Sequence, residues 1–344
     1  MPTTPSLLYC KRAILYLFCC CTLAACQPSE RPTLPDTYTI KDNLKVESDL
    51  NLLCAQLGTE MQQIDNQRSI LALQEINQNL KVCLPLMNSN EQLELLDISR
   101  YMYDRFLQVQ RTHTEQIAFE QYTQAATIHP TLQQQNFKQM SLRDQYLLKH
   151  QGQAYIEIVT LYDGSVSYRR SPQYLARLFA PYLPEAEQRF IEGLAQQNAQ
   201  VIFTNHKLIA EPLTLAERAL FWENYIRHYP KSRYQADAKR LSQIYAQLLF
   251  IGTPEHKVSE RYIGSQSIDP QSLAAIEYVS QQAQSHLAQQ ANQFLNFIQR
   301  DSIQTQQSLQ QEHQATVALL INELGLSKVN RKGDKNCLLD AICI

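Results

Sequence analysis

The chain has 344 residues, with 31 Lys plus Arg against 33 Asp plus Glu and a formal net charge of −2. That balance supplies no basic stripe and gives no reason to expect nucleic acid binding. Only 8 residues are glycine, against a usual share of about 7%, which speaks against many tight turns and for helices.

The chain opens with Lys11-Arg12, an apolar run over 13–24, and then small residues before a cysteine, Leu23-Ala24-Ala25-Cys26. This order is that of a secretory signal peptide, and the apolar core is too short to span a bilayer as a stable helix. Leu23-Ala24-Ala25-Cys26 also resembles the lipobox of bacterial lipoproteins. The resemblance implies a signal peptide over 1–25, cleavage before Cys26, lipidation of its thiol and acylation of the new amino terminus. Several acyl chains hold firmly, since each buried CH₂ contributes about 0.8 kcal/mol. Gln27 rather than Asp at the family's sorting position implies the outer membrane, at its periplasmic face or the cell surface. An ordinary secretory signal cut elsewhere and an uncleaved anchor are the alternatives. Cleavage leaves 319 residues, enough for one large or two modest domains, and removes Lys11 and Arg12, so 29 basic residues face 33 acidic ones, a net charge near −4. Cys10, Cys19, Cys20 and Cys21 leave with the leader.

Four later cysteines stand at 54, 83, 337 and 343. An even count in an exported chain points to disulfides, and four cysteines allow three pairings. The absence of Cys-x-x-Cys among them indicates neither a redox dithiol nor a zinc site.

Residues 26–45, with Pro28, Pro32 and Pro35, read as a tether. Leu50, Leu53, Leu57, Met61 and Ile64, then Ile70, Leu73, Ile76 and Leu80, recur at helical spacing. In one continuous helix Cys54 and Cys83 would lie about 43 Å apart. The polar run Asp65-Asn66-Gln67-Arg68-Ser69 at their midpoint favours two antiparallel helices stapled by Cys54–Cys83. Pro85 closes the second helix. Further helices are expected over 90–112, 115–127 and 132–149, completing an N-terminal helical region over 46–150.

A second region, 151–344, opens on the only strand signal. Two runs rich in β-branched and aromatic residues, 154–162 and 165–169, flank Asp163-Gly164, a hairpin signal whose turn positions both ask for positive φ. The free edge of such a hairpin is able to accept a partner's strand. Helices follow over 172–179 and 184–198, and Val201-Ile202-Phe203 reads as a strand or a buried turn. Two more helices cover 213–228 and 232–250. Here Phe221-Trp222, Tyr225, Tyr229-Pro230-Lys231-Ser232, Tyr234 and Asp237-Ala238 resemble the helix-turn-helix of tetratricopeptide-type repeats, in the form found in envelope lipoproteins. The likeness covers 214–250 and implies Ser232 as the cap of its second helix. It also implies a protein-binding surface carrying Trp222, Tyr225, Tyr229 and Tyr234. An ordinary helical hairpin explains the same residues.

Asp269-Pro270 starts what reads as the longest helix, through 299 and towards 315, with Leu273, Ile276, Ala283, Leu287, Ala291, Phe294 and Ile298 as one stripe. Gly325 is placed to end the helix after it. The tail, 330–344, is basic at first and then apolar from Cys337, and is expected to dock; Cys337 and Cys343 bridge if it turns, and pairing to Cys54 or Cys83 stays open.

The sequence contains no nucleophile elbow, zinc motif or phosphate loop. The eight histidines are scattered, and Glu217, Trp222 and Glu223 lie near the repeat-like turn, with nothing that selects a catalytic acid. No catalytic residue, metal or cofactor is expected. The expected fold is mainly α, antiparallel helix pairs with one small β-hairpin at about 154–170. The expected role is a non-enzymatic binding or scaffold module of the cell envelope, fastened to the membrane through Cys26, with envelope proteins as partners. A glycan-active enzyme and a lipid or small-ligand binder are the alternatives.

Overall fold

The computed structural model describes residues 41–124, 130–161, 163–204, 207–300, 309–326 and 335–344. The chain divides into two compact units, 1–47 and 48–344. The expected leader, Cys26 and tether residues 26–40 lie outside the described residues. The tether does not reach 45, because α1 (Lys41–Gln62) is already helical there.

The stapled hairpin is present. Leu57, Met61, Ile64, Ile70, Leu73, Ile76 and Leu80 are all buried, and α1 is bridged to α2 (Ile70–Cys83) by Cys54–Cys83, with Cα atoms 5.3 Å apart. Ser69 starts α2 by accepting the Ala72 N–H at 3.4 Å. α3 (Ser89–Phe106) begins on a capping box, in which Asn88 accepts the Glu91 N–H and Glu91 accepts the Asn88 N–H. It ends before the expected 112. α4 (His113–Gln124) follows. The single helix expected over 132–149 is two, α5 (Pro130–Gln139) and α6 (Leu142–Lys149). Ser141 breaks it, taking the Asp144 N–H at 3.0 Å and opening a new helix.

β1 (Ile156–Thr160) and β2 (Val166–Arg170) pair antiparallel, Ile156 opposite Arg170 and Thr160 opposite Val166. In the turn only Gly164 takes positive φ, +81°. Asp163 does not need it, since its carboxylate accepts the Ser165 N–H at 2.9 Å. α7 (Pro172–Phe179) and α8 (Glu185–Asn198) lead to a second, very short hairpin of β3 (Phe203–Thr204) and β4 (Lys207–Leu208).

α9 (Pro212–His228) packs on α10 (Gln235–Phe250). It reaches α8 at Gly193, where a Cβ would fall 2.3 Å from the Phe221 ring. Only glycine lets the helices come this close. Ser232 is not the cap of α10. Tyr234 stands before the helix, and the Ser232 hydroxyl accepts the Tyr234 N–H at 3.1 Å while pairing with Tyr225 and Glu187.

The long helix expected from 270 is also broken, into α11 (Pro270–Ser280) and α12 (His286–Ile298). Gln284 turns at φ +57° and Ser285 caps α12, leaving Ala283 exposed rather than in the stripe. Residues 301–308 lie outside the described residues. α13 (Leu309–Glu323) ends at Gly325, φ +62°, with Leu326 N–H donating to Ile321 O and Gly325 N–H to Asn322 O. These two bonds make the Schellman close expected of a C′ glycine. Cys337 bridges to Cys343, not to the first hairpin. Among the described residues no helix is long and apolar enough to cross a membrane.

Candidate functional site

Successive residues of a strand point to opposite faces, so Arg169 and Arg170 of β2 diverge. Arg170 turns inward, 3% exposed. It donates to Ser99 Oγ at 2.8 Å and to Asp340 Oδ2 at 2.6 Å, with its guanidinium 5.1 Å from the Tyr103 ring centre. Arg169 donates to Glu157 at 3.1 Å, to Asn198 O at 3.1 Å and to Leu339 O at 3.3 Å. Asn198, the last residue of α8, donates to Cys337 O at 2.9 Å and Asp340 O at 2.7 Å.

The object held by these three side chains is the tail. Asn336 and Ile344 exchange backbone bonds at 2.6 and 2.9 Å, and the Cys337–Cys343 bridge closes the loop between them. The tail is therefore a short stapled loop clamped through its carbonyls and one buried carboxylate.

A cavity opens on each side of this loop. The larger, about 360 Å³, is lined by Tyr103, Asp104, Arg111, Tyr168, Arg170 and Asp340 among others. The smaller, about 270 Å³, is lined by Val159, Thr160, Leu161, Val201, Phe203 and Leu338 among others. Leu339 lines both.

The polar groups of the larger cavity are largely committed. Arg111 forms a bidentate pair with the fully buried Asp144, at 2.7 and 2.8 Å, and Tyr168 OH donates to the same carboxylate at 3.1 Å. Burial, reinforced by Asp144, lifts the Tyr168 phenol far above its usual range, and burial does the same to Tyr103. Both phenols stay protonated as donors. Asp104 at the mouth has its carboxyl raised by partial desolvation, against the pull of Arg100 and Arg170. No group of three or more metal-ligating side chains occurs among the described residues.

Comparison with protein-family models, curated proteins and solved structures finds no match.

The aromatics expected to face a partner are mostly core. Trp222 is fully buried, with its indole N–H donating to Gln197 at 2.9 Å. Tyr225 and Tyr234 are 3% and 6% exposed, and Phe190 of α8 stacks on Tyr234 with centroids 4.3 Å apart. Only Tyr229 is partly open, and its hydroxyl donates to Glu185 at 2.9 Å. These rings close the joint of α8, α9 and α10 rather than a docking face. Glu223 is likewise occupied, accepting from Ser285 Oγ at 2.6 Å and from the N–H groups of His286 and Leu287 at the start of α12. Glu217 is exposed on α9. The residues that do converge, Arg169, Arg170, Asn198 and Asp340, were not singled out in the sequence. The one signal for them is that Asp340 is the sole charge in an apolar terminus.

Proposed function

We propose that the chain is an exported lipoprotein, fastened through Cys26 to the outer membrane, whose helical body is a binding or scaffold module facing the periplasm. The observation that supports export is the fate of the thiols: all four cysteines after Cys26 pair, Cys54 with Cys83 and Cys337 with Cys343. Such pairs persist in oxidising compartments and are rare where glutathione keeps thiols reduced. A binding role is supported by the two cavities flanking the stapled tail.

The test has two arms. Cells expressing the tagged chain are fed a palmitate analogue. Label and membrane retention are expected in the wild type and lost in Cys26→Ala. An intact leader by mass spectrometry, or an unlabelled chain in the soluble cell interior, removes the anchor. In-cell crosslinking then reads the binding role, for which a specific envelope partner is expected; its absence removes the module reading.

One observation favours a second reading. A cavity of about 360 Å³ falls within the ordinary range of small-ligand sites, roughly 300–1,000 Å³. A thermal-shift screen against lipids and small polar ligands tests it, and a flat response removes it.

A further inference from the structure

We propose that the outer edge of β1 is a docking site for an extended peptide segment of a partner. The segment adds as a third strand and lays an apolar side chain in the 270 Å³ cavity at the end of that edge. This inference deepens the binding-module reading and rests on it.

The parity of the ladder comes first. Ser171 N–H donates to Tyr155 O and Leu161 N–H donates to Ser165 O, both at 2.8 Å. In an antiparallel pair, bonded and non-bonded positions alternate. With Ile156 opposite Arg170, the odd residues of β1 therefore bond β2 and the even residues turn their groups outward. Gly152 N–H bears this out by donating to the outward carbonyl of Ile156 at 3.0 Å. The outward N–H and C=O of Ile158 and Thr160 have no partner among the described residues. Both residues are only partly buried.

Phe119 of α4 rests on the Tyr168 face of β2, ring centroids 5.4 Å apart, and it is the β1 side that carries the cavity. There the edge ends at a cavity. Val159 and Leu161 line it together with Val201 and Phe203, and Leu338 is supplied by the stapled tail. Val201 is 42% exposed at the rim.

The chemistry selects the occupant. N–H and C=O groups repeating at strand spacing are matched by another extended backbone, and the apolar walls beside them match alternate apolar side chains. A lipid or a small aromatic would fill the cavity and leave the edge unpaired, at the cost that unpaired backbone groups carry once covered.

The probe is a library of end-blocked hexapeptides with apolar residues at alternate positions, titrated into the full mature chain by fluorescence polarisation. Saturable binding of a subset is expected. Copies of those peptides N-methylated at the amides that face β1 are expected to bind about tenfold more weakly, the loss of one hydrogen bond. Thr160→Pro removes an outward donor while leaving the β1–β2 ladder whole. It is expected to weaken binding by a similar factor without lowering the melting temperature. If that variant fails to fold, Val201→Asp and the methylated peptides decide. The proposal is overturned if no peptide saturates, if methylation is without effect, or if neither variant weakens binding. It is also overturned if sedimentation shows the edge joining a second copy and excluding peptide. An envelope partner crosslinked equally by wild type and Val201→Asp would remove the edge site while sparing the module reading. No partner for the wild type would remove the module itself.

Discussion

Arg170 and Asp340 stand 170 residues apart in the chain, yet the guanidinium donates to the carboxylate at 2.6 Å. Their side chains are 2% and 11% exposed. Removing one partner of a buried pair leaves the other charged and desolvated, at a cost of about 3–5 kcal/mol. Asp340→Ala is therefore expected to destabilise the chain by an amount of that order in urea. Ser99 Oγ is then the one hydrogen-bond acceptor left to the Arg170 guanidinium among the described residues, beside the Tyr103 ring. A double change, Arg170→Met with Asp340→Leu, is expected to recover part of the loss. Equal loss in the double variant would show that the pair is not the cause.

The two disulfides are expected to differ in worth. In the loop-entropy account the stabilisation grows with the length of chain closed. Cys54–Cys83 spans 29 residues and Cys337–Cys343 spans 6. The first is worth about 3.6 kcal/mol and the second about 2.2 kcal/mol. Paired Cys→Ser variants compared by denaturant midpoint test this order. The reverse order would mean that the tail's clamp, through Asn198 and Asp340, depends on its bridge more than chain entropy suggests.

The stapled hairpin was legible because every signal for it is local. Apolar residues recur at helical steps, and a polar run with Ser69 stands at the midpoint between two cysteines. The 270–299 stretch was not legible. Glutamine has good helix propensity and offers no stop signal, so nothing nearby marks the break after Ser280. The carboxylate that completes the cap of α12 belongs to Glu223, 62 residues from Ser285. The repeat-like aromatics show the other gap: spacing gives the helix face that Trp222 and Tyr225 share, but the partner that covers it, Phe190 of α8, lies far away in sequence. The tail clamp is hidden for the same reason, since Arg170 and Asp340 carry no mutual trace along the chain.

Alkaline pH is expected to unfold the chain before its inner phenols ionise. Burial raises Tyr103, Tyr168, Tyr174, Tyr234 and Tyr262 well above their ordinary value, and pushes Tyr225 up to about 12. A group raised in the fold contributes stability that is whole below its unfolded value, near 10, and is lost as pH rises towards the folded one. Absorbance at 295 nm is expected to show the exposed tyrosines titrating smoothly and the rest appearing in one cooperative step with loss of helix. Smooth titration of every tyrosine with the helix signal intact would contradict the burial described.

Glu223 offers a test that separates structure from function. Its carboxylate accepts from Ser285 Oγ and from the backbone N–H groups of His286 and Leu287, so a side chain on α9 does the work of an N-cap for α12. The negative charge also sits at the positive end of that helix's dipole. Glu223→Ala leaves those donors without it and is expected to cost about 1–2 kcal/mol, the usual worth of a cap. Glu223→Gln keeps an acceptor and loses only the charge, so a smaller cost is expected, one that shrinks further in high salt. If Glu223 instead served a glycan-cleaving reaction, Glu223→Gln would abolish release of sugar from purified peptidoglycan while leaving the melting temperature nearly unchanged. The cap account expects the opposite pattern, a lower melting temperature and no difference in glycan release between variant and wild type.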